Sequence, residues 1–251
     1  MCAEMRRNMT QTKTTGISLT AFQIKLIAIV AMLIDHITWT FVPTDTVLAF
    51  ILHLIGRTAA PVMCFFLVEG YCHTKNLGKY FLRLAIFSLI SSYAYAFYES
   101  GGDFEFYGFG MIYTLFLGLL AIHIWNQTEW LYGIRILLVA IVCIASMMGD
   151  WPVVGVLWPL FLFIFREDEK KKYLSLAVIG CLSALSFQIV YFGNGRMMLA
   201  QLCQFGVLLA IPLLQCYNGE LGSRNKAGKW LFYVFYPLHL LIIGMVSLLF
   251  V

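Results

Sequence analysis

An apolar stretch near the start of the chain, KLIAIVAMLIDH, holds Lys25, Asp35 and His36. An ionisable side chain in such a run is costly to bury, which makes each a candidate for function. Lys25 and His36 stand 11 positions apart. On an α-helix that spacing turns through about 1100°, so the two share a face, roughly 16 Å apart along the axis. Asp35 points about 100° away from His36 and cannot easily orient it from the same helix; it needs a partner elsewhere. The next apolar run, HLIGRTAAPVMCFFLVEGYCH, puts His53 and Arg57 at i,i+4 on one face, and Glu69 and His73 at i,i+4 farther along. Pro61 predicts a kink between the two pairs. The last run, FYVFYPLHL, carries Tyr233, Tyr236, Pro237 and His239. An imidazole exchanges protons near neutral pH and a guanidinium stabilises negative charge, so this inventory suits proton transfer and the handling of anions.

Some of these residues also have plainer readings. Lys75, Lys79 and Arg83 follow the second run and obey the rule that cytoplasmic loops are basic. His53 fits an interfacial residue near a helix end, Glu69 a structural partner of Arg57 or Arg83, and His239 a satisfied buried histidine. Asp35 and His36, adjacent in the middle of an apolar run, resist such a reading most.

The elements that must position these groups are transmembrane helices. Of the 251 residues, 61% are hydrophobic and 12% charged, against about 45–50% and about 25% in soluble domains. A spanning helix needs about 20 apolar residues. About nine such runs follow one another: Leu19–Phe41, Val47–Cys72, Tyr80–Tyr98, Gly108–Trp125, Gly133–Met148, Pro152–Phe165, Tyr173–Phe192, Met197–Tyr217 and Lys229–Val251. The Pro152–Phe165 run is short enough to be tilted or re-entrant. The expected fold is therefore all-α, a polytopic helical bundle in a membrane. Residues 1–18 form a polar cytoplasmic segment and residues 19–251 a single transmembrane domain. Placing the N-terminus inside puts Arg6, Arg7, Lys13, Lys75, Lys79, Arg83, Arg135, Arg166, Lys170, Lys171, Lys172, Arg224, Lys226 and Lys229 on the cytoplasmic side. The outer loops are left with Arg196 alone, beside Asp45, Glu99, Asp103, Glu105 and Asp150. This bias orients the chain with its N-terminus inside and its C-terminus outside. The run Arg166–Lys172 reads as a solvated loop, and no nucleic-acid partner is expected. The seven cysteines form no C-x-x-C pair and read as small packing residues rather than a metal site or disulfide framework.

The strings KLIAIVAMLIDH, IGRTAAPVMCFFLVEGYCHTKN, YFLRL, DWPVVGVLWPL, YNGELG and KWLFYVFYPLHLLII, in this order and across nearly the whole chain, resemble the TraX family. TraX proteins are known for N-acetylating the processed pilin subunit of conjugative plasmids. The family is similar to the transmembrane acyltransferases, a group that includes bacterial O-acetyltransferases of surface sugars and the lysosomal acetyltransferase acting on heparan sulfate. In the bacterial sugar enzymes a first-span basic residue precedes a catalytic histidine by 11 positions. Lys25 and His36 match that spacing, with Lys where those enzymes have Arg.

The resemblance implies acyl transfer from cytosolic acyl-CoA, in the first instance acetyl-CoA, to an amine or hydroxyl at the outer face of a bacterial cytoplasmic membrane. Under it, His36 is the general base, Asp35 holds the base in position, Arg57 stabilises the oxyanion, and His239 is a further catalytic candidate. Glu69, His73, Lys75, Lys79 and Arg83 form a cytosolic mouth for the donor's phosphates, with Lys25 farther in. No metal is needed. The partners are membrane lipids, acyl-CoA and an acceptor that is a pilin N-terminus, a surface sugar, a lipid or a small amine. Two rivals remain at this stage: a secondary transporter with a His/Asp/Arg proton relay, and a non-catalytic scaffold. The first lacks the internal repeat and matched broken helices common in transporters. The second leaves the buried charges unexplained.

Overall fold

The structure, a computed structural model, describes residues 16–102, 108–222 and 226–250, and the side chains of these except 226–229. Arg6, Arg7, Lys13, Asp103, Glu105, Arg224 and the side chains of Lys226 and Lys229 thus lie outside the described residues, as does most of the polar segment 1–18. Apart from two isolated bridges, Leu19 with Tyr217 and Phe109 with Gly149, the regular elements described are helices. These are α1 (Ala21–Phe41), α2 (Val47–Gly56), α3 (Ala59–His73), α4 (Leu77–Glu99), α5 (Met111–Trp125), α6 (Tyr132–Ala145), α7 (Val154–Ile164), α8 (Glu169–Val190), α9 (Gly195–Gln201), α10 (Ala210–Gln215) and α11 (Lys226–Ser247), with 3₁₀ turns at Ser146–Met148 and Leu202–Leu209.

Among the described residues six helical stretches are long and apolar enough to cross a membrane: α1, α2 with α3, α4, α8, the stretch Gly195–Gln215, and Trp230–Ser247. Three shorter apolar helices, Met111–Trp125, Tyr132–Met148 and Val154–Ile164, bring the total to the nine expected. The protein is an all-helical membrane protein. The 11 residues of α7 rise only about 16 Å, short of a hydrocarbon core about 30 Å thick.

The helices form two compact units, each discontinuous in sequence. The first takes the described residues of Met1–Phe66 and Leu176–Phe235. Its α1 begins at a capping box: Thr20 receives Gln23 N–H, and Gln23 reaches back to the Thr20 backbone. The loop that carries YNGELG finishes the job. Glu220 and Leu221 carbonyls accept from the N–H groups of Ala21 and Phe22, while Leu19 N–H donates to the Cys216 carbonyl and the Leu19 carbonyl accepts from Asn218 N–H. The first turn of α1 is thereby satisfied although it has no helical acceptors of its own. This fixes the depth from which Lys25 and His36 are counted.

The second long span is interrupted at Arg57–Thr58, one turn before Pro61. Proline lacks the N–H that would bond the Arg57 carbonyl, and its ring clashes with that carbonyl. The expected kink thus falls four residues ahead of its cause. The span at 195–215 is interrupted more thoroughly, by eight residues of 3₁₀ helix, where runs beyond three or four are uncommon. Gly206 lies within this stretch, and Pro212 cannot bond the Leu208 carbonyl. The 3₁₀ stretch packs against α2 so closely that a β-carbon on Gly206 would lie 2.1 Å from the Leu54 carbonyl oxygen.

The second unit takes Leu67–Ser175 and Tyr236–Val251. Its centre is α5, with α4, α6 and α7 packed against it. Leu117, Ala121, Ile124, Val139, Val142, Val156 and Leu160 make an apolar core. Gly118 and Gly155 let α5 and α7 approach closely, since a β-carbon on Gly118 would lie 2.7 Å from Pro159 and one on Gly155 2.5 Å from Thr114. Small residues at helix crossings are the usual means of close packing in lipid. Before α7 the chain turns sharply, with Trp151 and Val153 at φ 57° and 62°.

Candidate functional site

In the first unit, Asp35 of α1 meets the end of α2. His53 Nδ1–H donates to Asp35 Oδ1 at 2.8 Å, and an Arg57 terminal nitrogen lies 3.1 Å from Oδ2. Both oxygens of the carboxylate are thus engaged from one face of the partner helix, as the i,i+4 spacing of His53 and Arg57 allows. Asp35 and His53 are buried, with His53 only 3% exposed. Asp35 reaches this position because residue 56 is glycine: a β-carbon there would sit 2.4 Å from Asp35 Cβ. Trp39, one turn along α1, covers the side, its ring 4.4 Å from the His53 ring and 5.7 Å from the Arg57 guanidinium carbon.

Asp35 therefore finds the partner it requires on another helix, and that partner is His53, with Arg57. His36 is held separately: its Nδ1–H donates to the Met32 carbonyl at 2.8 Å. Asp35, Arg57 and His53 all lie within electrostatic reach of it. The acceptors decide both tautomers. A carbonyl, and a carboxylate paired with arginine, only accept, so Nδ1 carries the proton in each neutral ring and Nε2 holds the lone pair. For His53 that Nε2 is buried, and no described group bonds to it.

The sequence placed His53 at an interface; the structure buries it at the centre of the cluster. The available signal was its i,i+4 spacing from Arg57 combined with an Asp35 in need of a partner. A second group missed by the sequence reading lies on the 3₁₀ stretch. Gln204 Nε2 donates to Gln201 Oε1 at 2.9 Å, both residues buried, and Cys203 between them is within electrostatic reach of Arg57 and Asp35. Lys25 is half-buried, its ammonium 4.9 Å from the Phe232 ring centre and 5.4 Å from that of Phe66. These rings suit a partly desolvated cation.

The remaining candidates belong to the second unit. Glu69, His73, Lys75, Lys79 and Arg83 gather around the turn from α3 to α4. His73 Nδ1–H donates to the Glu69 carbonyl at 2.8 Å, with the Glu69 carboxylate at 3.7 Å. Asn76 caps α4 by accepting from Lys79 N–H. The Arg83 guanidinium stands over the Tyr80 ring at 5.6 Å. His73, Lys75 and Lys79 are exposed. His239 is buried on α11, its ring 5.6 Å from that of Tyr236, whose hydroxyl accepts from Met111 N–H. His123, which the sequence reading passed over, lies on α5 with Tyr71 Oη at 3.5 Å and Gln127 Nε2 at 3.4 Å.

Outside the spans, Asp168 has a carboxyl held below the usual range by the backbone and side chain of Lys171. That is the signature of the Asp168 turn ahead of α8, and the run Arg166–Lys172, expected as a solvated loop, is helical from Glu169 on, with Lys172 buried and paired with Glu169.

Among known proteins, no solved structure matches the chain. A relative from Dichelobacter nodosus, named "Probable fimbrial assembly protein FimC, serogroup H1", is 32% identical over 234 residues, covering 90% of this chain and 94% of the relative. The family model described as TraX protein matches residues 21–247, a stretch that takes in every described member of the Asp35 cluster and of the α3–α4 turn, and the chain belongs to the TraX family.

Proposed function

We propose that this protein transfers an acyl group, acetyl in the first instance, from cytosolic acyl-CoA to an amine or hydroxyl at the outer face of the bacterial cytoplasmic membrane. The supporting observation is the buried constellation of Asp35, His36, His53 and Arg57, with both imidazoles in the tautomer that presents a basic Nε2. A scaffold has no use for such a group, and a proton relay does not need the exposed basic turn at His73, Lys75, Lys79 and Arg83.

In this reading the α3–α4 turn, with Glu69 orienting His73, receives the donor's phosphates, and Lys25 is a further basic residue for the donor. His36 is the general base. Its Nε2 takes the proton as the acceptor nitrogen or oxygen attacks the thioester carbonyl. A new N–C or O–C bond forms, the C–S bond breaks, and the proton passes on to the departing thiolate. Asp35 keeps Arg57 and His53 in place, and Arg57 places positive charge where the oxyanion develops. His239 is the reserve base. The acceptor classes are a pilin N-terminus, a surface sugar, a lipid or a small amine. The fimbrial assembly name of the relative supports a component of surface fibres among them. Mass spectrometry of cell-surface material with and without this chain tests the proposal: loss of one acyl mass from a surface component is expected, and identical spectra contradict it.

A further inference from the structure

The buried polar atoms of the first unit with no described partner include two acceptors, His53 Nε2 and Gln204 Oε1. His53 is 3% and Gln204 4% exposed. In an apolar surrounding each such atom is costly unless something binds it. The two sit on elements packed face to face, α2 and the 3₁₀ stretch, pinned together where Gly206 lies on the Leu54 carbonyl. His53 and Leu54 are neighbours in sequence, as are Cys203 and Gln204, and Cys203 is within electrostatic reach of Asp35 and Arg57.

The chemistry of the two atoms agrees. Asp35 fixes the His53 proton on Nδ1, so Nε2 is an acceptor. Gln204 spends an amide N–H on Gln201 Oε1, which leaves its buried oxygen as a second acceptor. The 3₁₀ geometry makes this possible, because residues three apart stack in line and so bring Gln201 under Gln204.

We infer that His53 Nε2 and Gln204 Oε1 form a subsite that binds the acceptor by accepting hydrogen bonds from its N–H or O–H group. The inference deepens the acyl-transfer reading and rests on it only for calling the bound group the acceptor. Gln204 is then a specificity-determining residue on the unwound stretch that packs against α2.

The test is ¹⁵N NMR of histidine-labelled full-length protein in nanodiscs, titrated with n-butylamine in one arm and n-butanol in the other. The His53 Nε2 signal is assigned from its loss in His53→Asn. In the wild type the signal moves with at least one probe, and the responding arm tells whether N–H or O–H is taken. In Gln204→Met the same movement needs about ten- to a hundred-fold more probe, as expected for one lost buried hydrogen bond. Gln204→Glu, which keeps an acceptor oxygen, retains it. Unchanged signals from the other histidines show that Gln204→Met is folded. A His53 signal that ignores both probes, or that moves equally in Gln204→Met, overturns the inference. If the signal responds as expected yet the wild type transfers no acetyl group, the transferase reading fails and the subsite stands.

Discussion

Substituting Gly56 by alanine should dismantle the Asp35 cluster without touching any of its polar groups. The added β-carbon would lie 2.4 Å from Asp35 Cβ, 2.5 Å from Oδ1 and 2.6 Å from Cγ, whereas ordinary contact begins at 3.4 Å. The shortfall is 3.4 − 2.4 = 1.0 Å. Asp35 Cβ cannot rotate away, because the α1 backbone holds it, so α1 and α2 must part by about that much. The His53 and Arg57 contacts of 2.8 and 3.1 Å would stretch by about 1 Å, beyond hydrogen-bond range. Breaking a buried cluster of one hydrogen bond and one ion pair to the same carboxylate costs about 3–5 kcal/mol. The assay is equilibrium unfolding in detergent, with acetyl transfer measured on the same samples. Gly133→Ala is the control, since a β-carbon there meets nothing within 4 Å. Equal stability and equal turnover in the two variants would refute the claim that Asp35 is clamped between α1 and α2.

Other expectations follow from the same geometry. Tags at the two ends should report opposite sides of the membrane, with residue 1 cytosolic; both on one side would contradict the odd number of crossings. Replacing Lys79 and Arg83 together by alanine should raise the Kd for acetyl-CoA several-fold and flatten its salt dependence, and an unchanged Kd would leave the α3–α4 turn as a topology signal only. His53→Asn, whose amide N–H can replace Nδ1, should stay within about 1 kcal/mol of wild-type stability while weakening acceptor use. His53→Ala should lose both, because it leaves the buried Asp35–Arg57 pair short of a donor. If the two variants unfold alike, the Asp35–His53 bond carries no stability.

The helices were legible because lipid demands long apolar runs, and the nine runs match nine apolar helical stretches among the described residues. The ionisable residues of the first two spans were legible for the same reason: in such runs they stand out. What the sequence could not say was who pairs with whom. The 100° offset of Asp35 from His36 pointed to a partner on another helix, but choosing His53 needs the register of α1 against α2, which Gly56 sets through packing. The kink was anticipated from Pro61, and its position at Arg57 follows from the carbonyl that proline displaces. The 3₁₀ stretch at Leu202–Leu209 was read as an unbroken span, because LCQFGVLL is as apolar as its flanks. Only the combination of Gly206 and Pro212 hints that the helix loosens there. Gln201 and Gln204 went unnoticed because they carry no charge, and only the ionisable residues of the spans were singled out as costly to bury. Lys25 could be placed on the His36 face, but its seat between Phe66 and Phe232 joins residues far apart in sequence.

The central claim is that His36 takes the acceptor's proton during acyl transfer. The most direct measurement compares purified wild type and His36→Ala in nanodiscs, with radiolabelled acetyl-CoA and a surrogate amine or sugar acceptor, alongside acetyl-CoA binding. The account predicts turnover by the wild type and a loss of about 10²–10⁴ in rate in the variant, with donor affinity largely intact. Normal turnover by folded His36→Ala would contradict it and pass the role of base to His53 or His239.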